Sequence, residues 1–138
     1  MNLESFKKQF RYYKLLGDKT FEQLEEKDLF WQFNSESNSI GVMVKHLHGN
    51  MLSRWTDFLN SDGEKEWRNR DYEFKTTFIS KTDMLSKWEE GWACLFEALD
   101  TVNPHCSTSD TKRPLADRKL TNPLSVEVLR HFFIEKCL

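Results

Sequence analysis

The chain of 138 residues has little of what marks the more specialised classes of protein. Its three cysteines, Cys94, Cys106 and Cys137, are odd in number and widely spaced with no CxxC pair, so neither a disulfide framework nor a cysteine zinc site is expected. No run approaches the ~18 consecutive apolar residues of a membrane-spanning helix. The first residues carry Glu4, Lys7, Lys8, Arg11 and Lys14 where a secretory signal would be apolar. The expectation is a cytoplasmic protein with reduced thiols and no membrane association. Nor does the charge gather in a block of one sign: 20 Lys and Arg are interspersed with 22 Asp and Glu, for a net charge of -2, which argues against a nucleic-acid partner. The nucleophile elbow GxSxG, the phosphate loop GxxxxGK[ST], the dinucleotide fingerprint GxGxxG and the zinc-protease HExxH are all absent, which removes the sequence-local catalytic signatures.

What the sequence does have is aromatic bulk. Apolar residues are only 38% of the chain but aromatics are 14%, so the core must be built from few large side chains that each bury ~150–250 Å². The length fits a single domain over residues 1–138. Leu3, Phe6, Phe10, Tyr13 and Leu16 recur at steps of three and four, and Phe21 and Leu24 resume the pattern, which predicts a first helix from about Leu3 to Glu26. Gly17 weakens it locally, since a mid-helix glycine costs ~1 kcal/mol against alanine. After the polar turn cluster 34–38, Ser39 stands as an N-cap before the stripe Ile40, Met43, Val44, Leu47, Met51, Trp55, Phe58 and Leu59. That second helix should stop near Asn60-Ser-Asp-Gly63. The charged stretch 64–79 reads as a long loop pinned to the bundle by Trp67, Tyr72, Phe74 and Phe78. Ser80-Lys-Thr-Asp83 offers a capping start for a third helix bearing Leu85, Trp88, Trp92, Leu95, Phe96, Leu99 and Val102, ended by Asn103-Pro104.

Residues 104–122 are polar and read as loop, and Pro123 at a first helical position opens a short last helix to Cys137 carrying Leu124, Val128, Leu129, Phe132 and Phe133. The β-branched and aromatic content of 126–134 leaves a strand open as the alternative there. Amphipathic helices cannot hide their stripes alone, so the expected fold is all-α: a four-helix bundle with a shortened or atypical fourth helix, or three helices completed by a partner chain.

Histidine is the remaining source of chemistry: His46, His48, His105 and His131. Helix-borne imidazoles converging in a bundle suit zinc, nickel or copper. At ~100° per residue His46 and His48 lie about 200° apart around one helix and are not expected to share an ion. On the wheel His48 is nearer the aliphatic stripe, whereas His46 sits at the flank with Met43 and Asn50. Either is by default a helix-surface or satisfied core residue, as is His131, three residues beyond Val128.

The stretch Ser39-Ile-Gly-Val-Met-Val-Lys-His46-Leu-His-Gly-Asn50-Met-Leu-Ser-Arg-Trp55-Thr-Asp-Phe-Leu, continuing through Asp62-Gly-Glu-Lys-Glu-Trp67-Arg-Asn-Arg70-Asp71, resembles the DinB/YfiT-like superfamily. More narrowly it resembles a bacterial subfamily known as a domain of unknown function. Tyr12-Tyr13-Lys-Leu-Leu-Gly17-Asp-Lys-Thr-Phe21, Leu29-Phe-Trp31-Gln, Lys87-Trp88-Glu-Glu-Gly-Trp92 and Leu95-Phe-Glu-Ala-Leu99 carry the same resemblance, which covers residues 1–103. The resemblance implies a DinB-like four-helix bundle with an up-down-down-up course, often a homodimer. It also implies a divalent metal (zinc or nickel) held by three histidines, and a metal-dependent transferase- or hydrolase-like activity on a small thiol or electrophile. Some relatives are thiol S-transferases or isomerases that use bacillithiol or mycothiol.

The first of those ligands falls on His46. The other two form an HxxxH pair on the last helix, which this sequence lacks, leaving His131 as the one histidine on the expected final helix. Either the tail has diverged or been altered, as a frameshift just after the codon for Asn103 would do, or the weak last helix is out of register with the family's; the first account is favoured. Two functions follow: a metal-dependent enzyme with an incomplete three-histidine site at His46 and His131, or a non-catalytic bundle that has lost its metal and acts structurally or as a homodimer.

Overall fold

Two serines set the starts of the two helices that carry the core. The Ser39 hydroxyl accepts the Val42 amide at 3.2 Å, and the Ser80 hydroxyl accepts the Asp83 amide at 3.1 Å; each satisfies a donor left over at a helix N-terminus. The computed structural model describes residues 3–61, 63, 65–75 and 78–101, and all of its regular structure is helical. In chain order the elements are α1 (Leu3–Gln23), the single turn α2 (Glu26–Leu29), α3 (Ile40–Trp55), the short α4 (Arg70–Lys75) and α5 (Lys81–Thr101). The fold is an all-α bundle. The last helix expected over 123–137, with His131, His105, Cys106 and Cys137, lies outside the described residues.

The principal contact is α3 against α5, with α4 laid on α3 and α1 on α5. Met51, Val44 and Trp55 of α3 meet Trp88, Trp92, Leu95 and Leu99 of α5 in one buried cluster, joined by Phe10 and Phe21 of α1, Leu29 of α2 and Phe78. Trp55, Trp88 and Trp92 are all core residues, as their periodicity predicts. Gly91 is what lets the two main helices close up: a Cβ there would stand 3.1 Å from the Met51 sulfur and 3.4 Å from the His48 Cα. The rings interlock edge to face, with Phe21 on Trp88 at 5.1 Å, Trp88 on Trp92 at 5.4 Å and Phe10 on Trp55 at 6.5 Å between centroids.

The structure redraws four details of the sequence reading. On α1 the predicted stripe holds at Phe10, Phe21 and Leu24 but is interrupted at Tyr13 and Leu16, which are exposed. The buried line instead runs through Gly17 to Phe21, since a Cβ at Gly17 would collide with the Trp88 ring, whose indole N–H donates to Asp18 at 2.7 Å. Helix α1 also stops three residues short of Glu26, where the Lys81 ammonium reaches back from the start of α5 to the carbonyls of Phe21 and Leu24, both at 2.6 Å. A cation at a helix C-terminus satisfies free carbonyls and opposes the helix dipole.

Helix α3 ends at Trp55, earlier than its apolar pattern suggests. Asp57 turns the chain with φ of 49°, a left-handed conformation that aspartate tolerates, and its side chain accepts the Asn60 amide group at 2.9 Å. Phe58 and Leu59 consequently sit in the turn and are only half buried. In the charged stretch Phe78 is buried in the core cluster as predicted, whereas Trp67, Tyr72 and Phe74 are exposed, and Arg70–Lys75 is a short helix where a loop is expected.

The close fit of Gly17 against Trp88 gives a stability test. Gly17→Ala is expected to destabilise by ~1–3 kcal/mol through overpacking, and Trp88→Ala by ~3–5 kcal/mol through the cavity it leaves. With the ring gone, the added methyl has room, so the double variant should lose less than the sum in urea or thermal unfolding; strict additivity would show that the two sites do not meet.

Candidate functional site

His46 and His48 leave α3 on different sides, each meeting a carboxylate from a different neighbour. His48 Nε2 is 3.0 Å from Glu90 Oε2 on α5, and the same carboxylate oxygen accepts Lys87 Nζ at 2.7 Å. Glu90 is half exposed, and Lys87 and His48 together hold its carboxyl below the usual carboxylate range. Burial pushes the His48 imidazole down, with Glu90 opposing. This is a rim cluster, partly solvated.

His46 is set more firmly. Its Nδ1 lies 2.9 Å from Glu73 Oε2, and Glu73 is buried at the centre of α4. Arg68 takes the same carboxylate in a two-pronged pair, Nε to Oε1 at 2.9 Å and Nη2 to Oε2 at 3.1 Å. The Arg68 side chain is only 3% exposed, and its remaining arm donates from Nη1 to Ser53 Oγ at 3.1 Å. Ser53, itself fully buried, donates its hydroxyl to the Asn50 carbonyl at 3.2 Å, and the Asn50 side chain accepts Arg54 Nε at 3.0 Å. A buried charge is tolerated only when paired and hydrogen-bonded, and each charged group here has that company.

The backbone makes room for it. Gly49 stands three residues after His46 on the same side of α3, and a Cβ there would occupy the position of the Glu73 carboxylate. The Phe74 ring lies against the imidazole, centroids 4.8 Å apart at 34°, and Lys45 sits over the Tyr72 ring at 4.6 Å. Thus Tyr72 and Phe74, although exposed, still cover the α3 surface beside the histidine.

A carboxylate paired with arginine only accepts hydrogen bonds, so His46 Nδ1 must be the donor and Nε2 is the nitrogen left for a ligand. Burial pushes the His46 pKa down; Glu73 opposes this, while Arg68 and Arg70 add to it. The imidazole is therefore neutral near pH 7, the form that binds a metal.

Of the residues expected at the site, His46 is placed and His131 lies outside the described residues. Among the described residues no group of three His, Cys, Asp or Glu side chains converges as a metal site. Glu73, Arg68 and Ser53 escaped the sequence reading because they sit in, or bond to, a charged stretch with no period. The one usable signal was Gly49, a small residue that opens the same face as His46.

A hollow of about 400 Å³ lies at the other end of α3, lined by Trp55, Phe58, Cys94 and Ala98 among others, with Thr56 Oγ1 3.6 Å from Cys94 Sγ. It is open to solvent and away from His46. No described helix is long and apolar enough to cross a membrane.

Fold and site together describe an all-α bundle protein with a carboxylate-braced histidine on its central helix pair. Residues 1–113 match the family described as Protein of unknown function (DUF1572), and the chain belongs to that family. No curated protein and no solved structure matches the chain.

The buried pair makes its own prediction. Glu73→Ala strands the Arg68 guanidinium in the interior and is expected to cost ~3–5 kcal/mol, as breaking a buried ion pair does. Glu89→Ala, which removes a solvated partner of Lys14 at 2.8 Å, should leave the unfolding midpoint close to wild type. Equal effects of the two in chemical denaturation would contradict the buried role of Glu73.

Proposed function

We propose that the protein is a DinB-like metal-binding bundle that uses His46 Nε2 as a ligand to a divalent metal, zinc or nickel, with His131 as a second ligand. Its activity in this reading is metal-dependent transfer or hydrolysis on a small thiol or electrophile. The observation that carries it is the geometry of the His46 imidazole: largely buried and already committed through Nδ1 to Glu73, as a metal-ligating histidine is. One imidazole among the described residues thus fits the role, and the resemblance supplies the position. A divalent metal held there supplies Lewis acidity toward a bound water or thiol. The chain's own part is to hold the imidazole neutral and oriented, with Phe74 shielding one of its faces.

The second reading, a bundle without catalysis that self-associates, is favoured by a different observation. Helix α1 exposes Tyr12, Leu15 and Leu16, an apolar strip that a second copy of the chain would cover.

Metal content measured by plasma mass spectrometry on tag-free protein decides between them. The metal reading expects near-stoichiometric zinc or nickel in the wild type and its loss in His46→Ala. Metal absent from both, with a dimer by light scattering that Leu15→Glu and Leu16→Glu dissociate, would establish the second reading.

A further inference from the structure

We propose that the hollow between the end of α3 and the last turns of α5 binds a small organic ammonium cation, independently of the metal-binding reading above. Its volume of about 400 Å³ falls within the range of small-molecule sites, and its walls have the mixed character of one, with the rings of Trp55 and Phe58 and the small Ala98 set among polar groups. Among the described residues on the lining the charged ones are Asp57 and Glu97, with no lysine or arginine. In a chain whose 20 basic and 22 acidic residues are interspersed, that one-sidedness belongs to the hollow and not to the protein as a whole. A concave surface lined by charge of one sign concentrates ions of the other.

The neighbouring groups leave these carboxylates available. Lys7 of α1, which reaches the same end of α5, is held by Asp100 at 2.6 Å. Asp57 gives one oxygen to the Asn60 amide group at 2.9 Å and has a second to offer. It stands on a closed turn, because its backbone carbonyl accepts both the Ser61 amide at 3.0 Å and the Ser61 hydroxyl at 2.8 Å.

The aromatic wall suits the same ligand. The Phe58 and Trp55 rings lie 5.4 Å apart at 56°. Ring faces attract an alkylammonium group, and indole does so best. An anion would meet two carboxylates, and an uncharged apolar ligand would take water from them without compensation. Trp55 adds one further preference, since its buried indole N–H has no acceptor among the described residues, and a buried donor calls for a partner. A cation that carries a hydroxyl or carbonyl oxygen brings such an acceptor with it.

Choline is the probe, compared with 3,3-dimethyl-1-butanol, which has the same shape and hydroxyl but no charge. In the 15N-labelled chain, choline is expected to bind saturably in the millimolar range usual for so small a ligand, shifting the Trp55 indole N–H and the amides of 56–60 and 94–101. The uncharged compound is expected to bind about tenfold more weakly. Glu97→Gln together with Asp57→Asn, the second chosen because asparagine also tolerates a left-handed backbone, should weaken choline by about tenfold and leave the uncharged compound unaffected. Equal binding of the two compounds, choline shifts that lie away from the hollow, choline affinity unaltered in the folded double variant, or no saturable shift at all would each overturn the proposal. Should the double variant unfold, Glu97→Gln alone, at an exposed position of α5, decides by the same comparison: weaker choline supports the site, and unchanged choline opposes it.

Discussion

The close approach of α3 and α5 at Gly91 is the constraint on which the rest of the molecule hangs. With no side chain at that position, the Met51 sulfur and the His48 backbone come into contact distance, and the large rings of Trp88 and Trp92 can interleave with Trp55 through a shared apolar layer. Burial of few but large side chains drives this association, at roughly 25 cal/mol for each Å² of apolar surface removed from water. The other elements are added to that pair by separate devices. Helix α1 is seated by Gly17 beneath Trp88 and tied at its end by Lys81, whereas α4 is held to α3 by charge.

The same geometry explains why the two histidines of α3 differ. His48 faces the helix that α3 packs on most closely, at a rim where Glu90 and Lys87 remain solvated. His46 faces α4, and there the partner carboxylate has been drawn into the interior. An exposed ion pair of the first kind contributes little and is screened by salt. A buried, fully hydrogen-bonded arrangement of the second kind selects one geometry over its neighbours, because any shift leaves a charge unsatisfied.

How far the sequence discloses this depends on whether a residue acts through a period. Ser39 and Ser80 are legible because a small hydroxyl immediately before an apolar stripe has one main use, and Trp55, Trp88 and Trp92 because they recur at helical spacing. The stripe of α1 misleads only at Tyr13 and Leu16, which satisfy the spacing although Gly17 decides which face can approach Trp88. Phe58 and Leu59 extend the α3 pattern past its end because the left-handed turn at Asp57 depends on local hydrogen bonds that periodicity does not sense. The wheel puts His46 at the flank of its helix and the resemblance puts it at a ligand position; in the structure it faces α4, with Nδ1 2.9 Å from Glu73 Oε2. Its partners were invisible: Glu73 and Arg68 are two charges among many between 65 and 75, and nothing about glutamate or arginine in isolation signals burial.

The way α4 is attached has a consequence for how the molecule breathes. Trp67, Tyr72 and Phe74 keep much of their surface in water while the segment is docked, so lifting α4 away from α3 would uncover little new apolar area. Local opening of such a segment has a free energy but almost no denaturant slope, because that slope follows the surface exposed. The His46 brace would then come undone in a sub-global fluctuation that urea scarcely promotes, well before the tryptophan layer between α3 and α5 gives way.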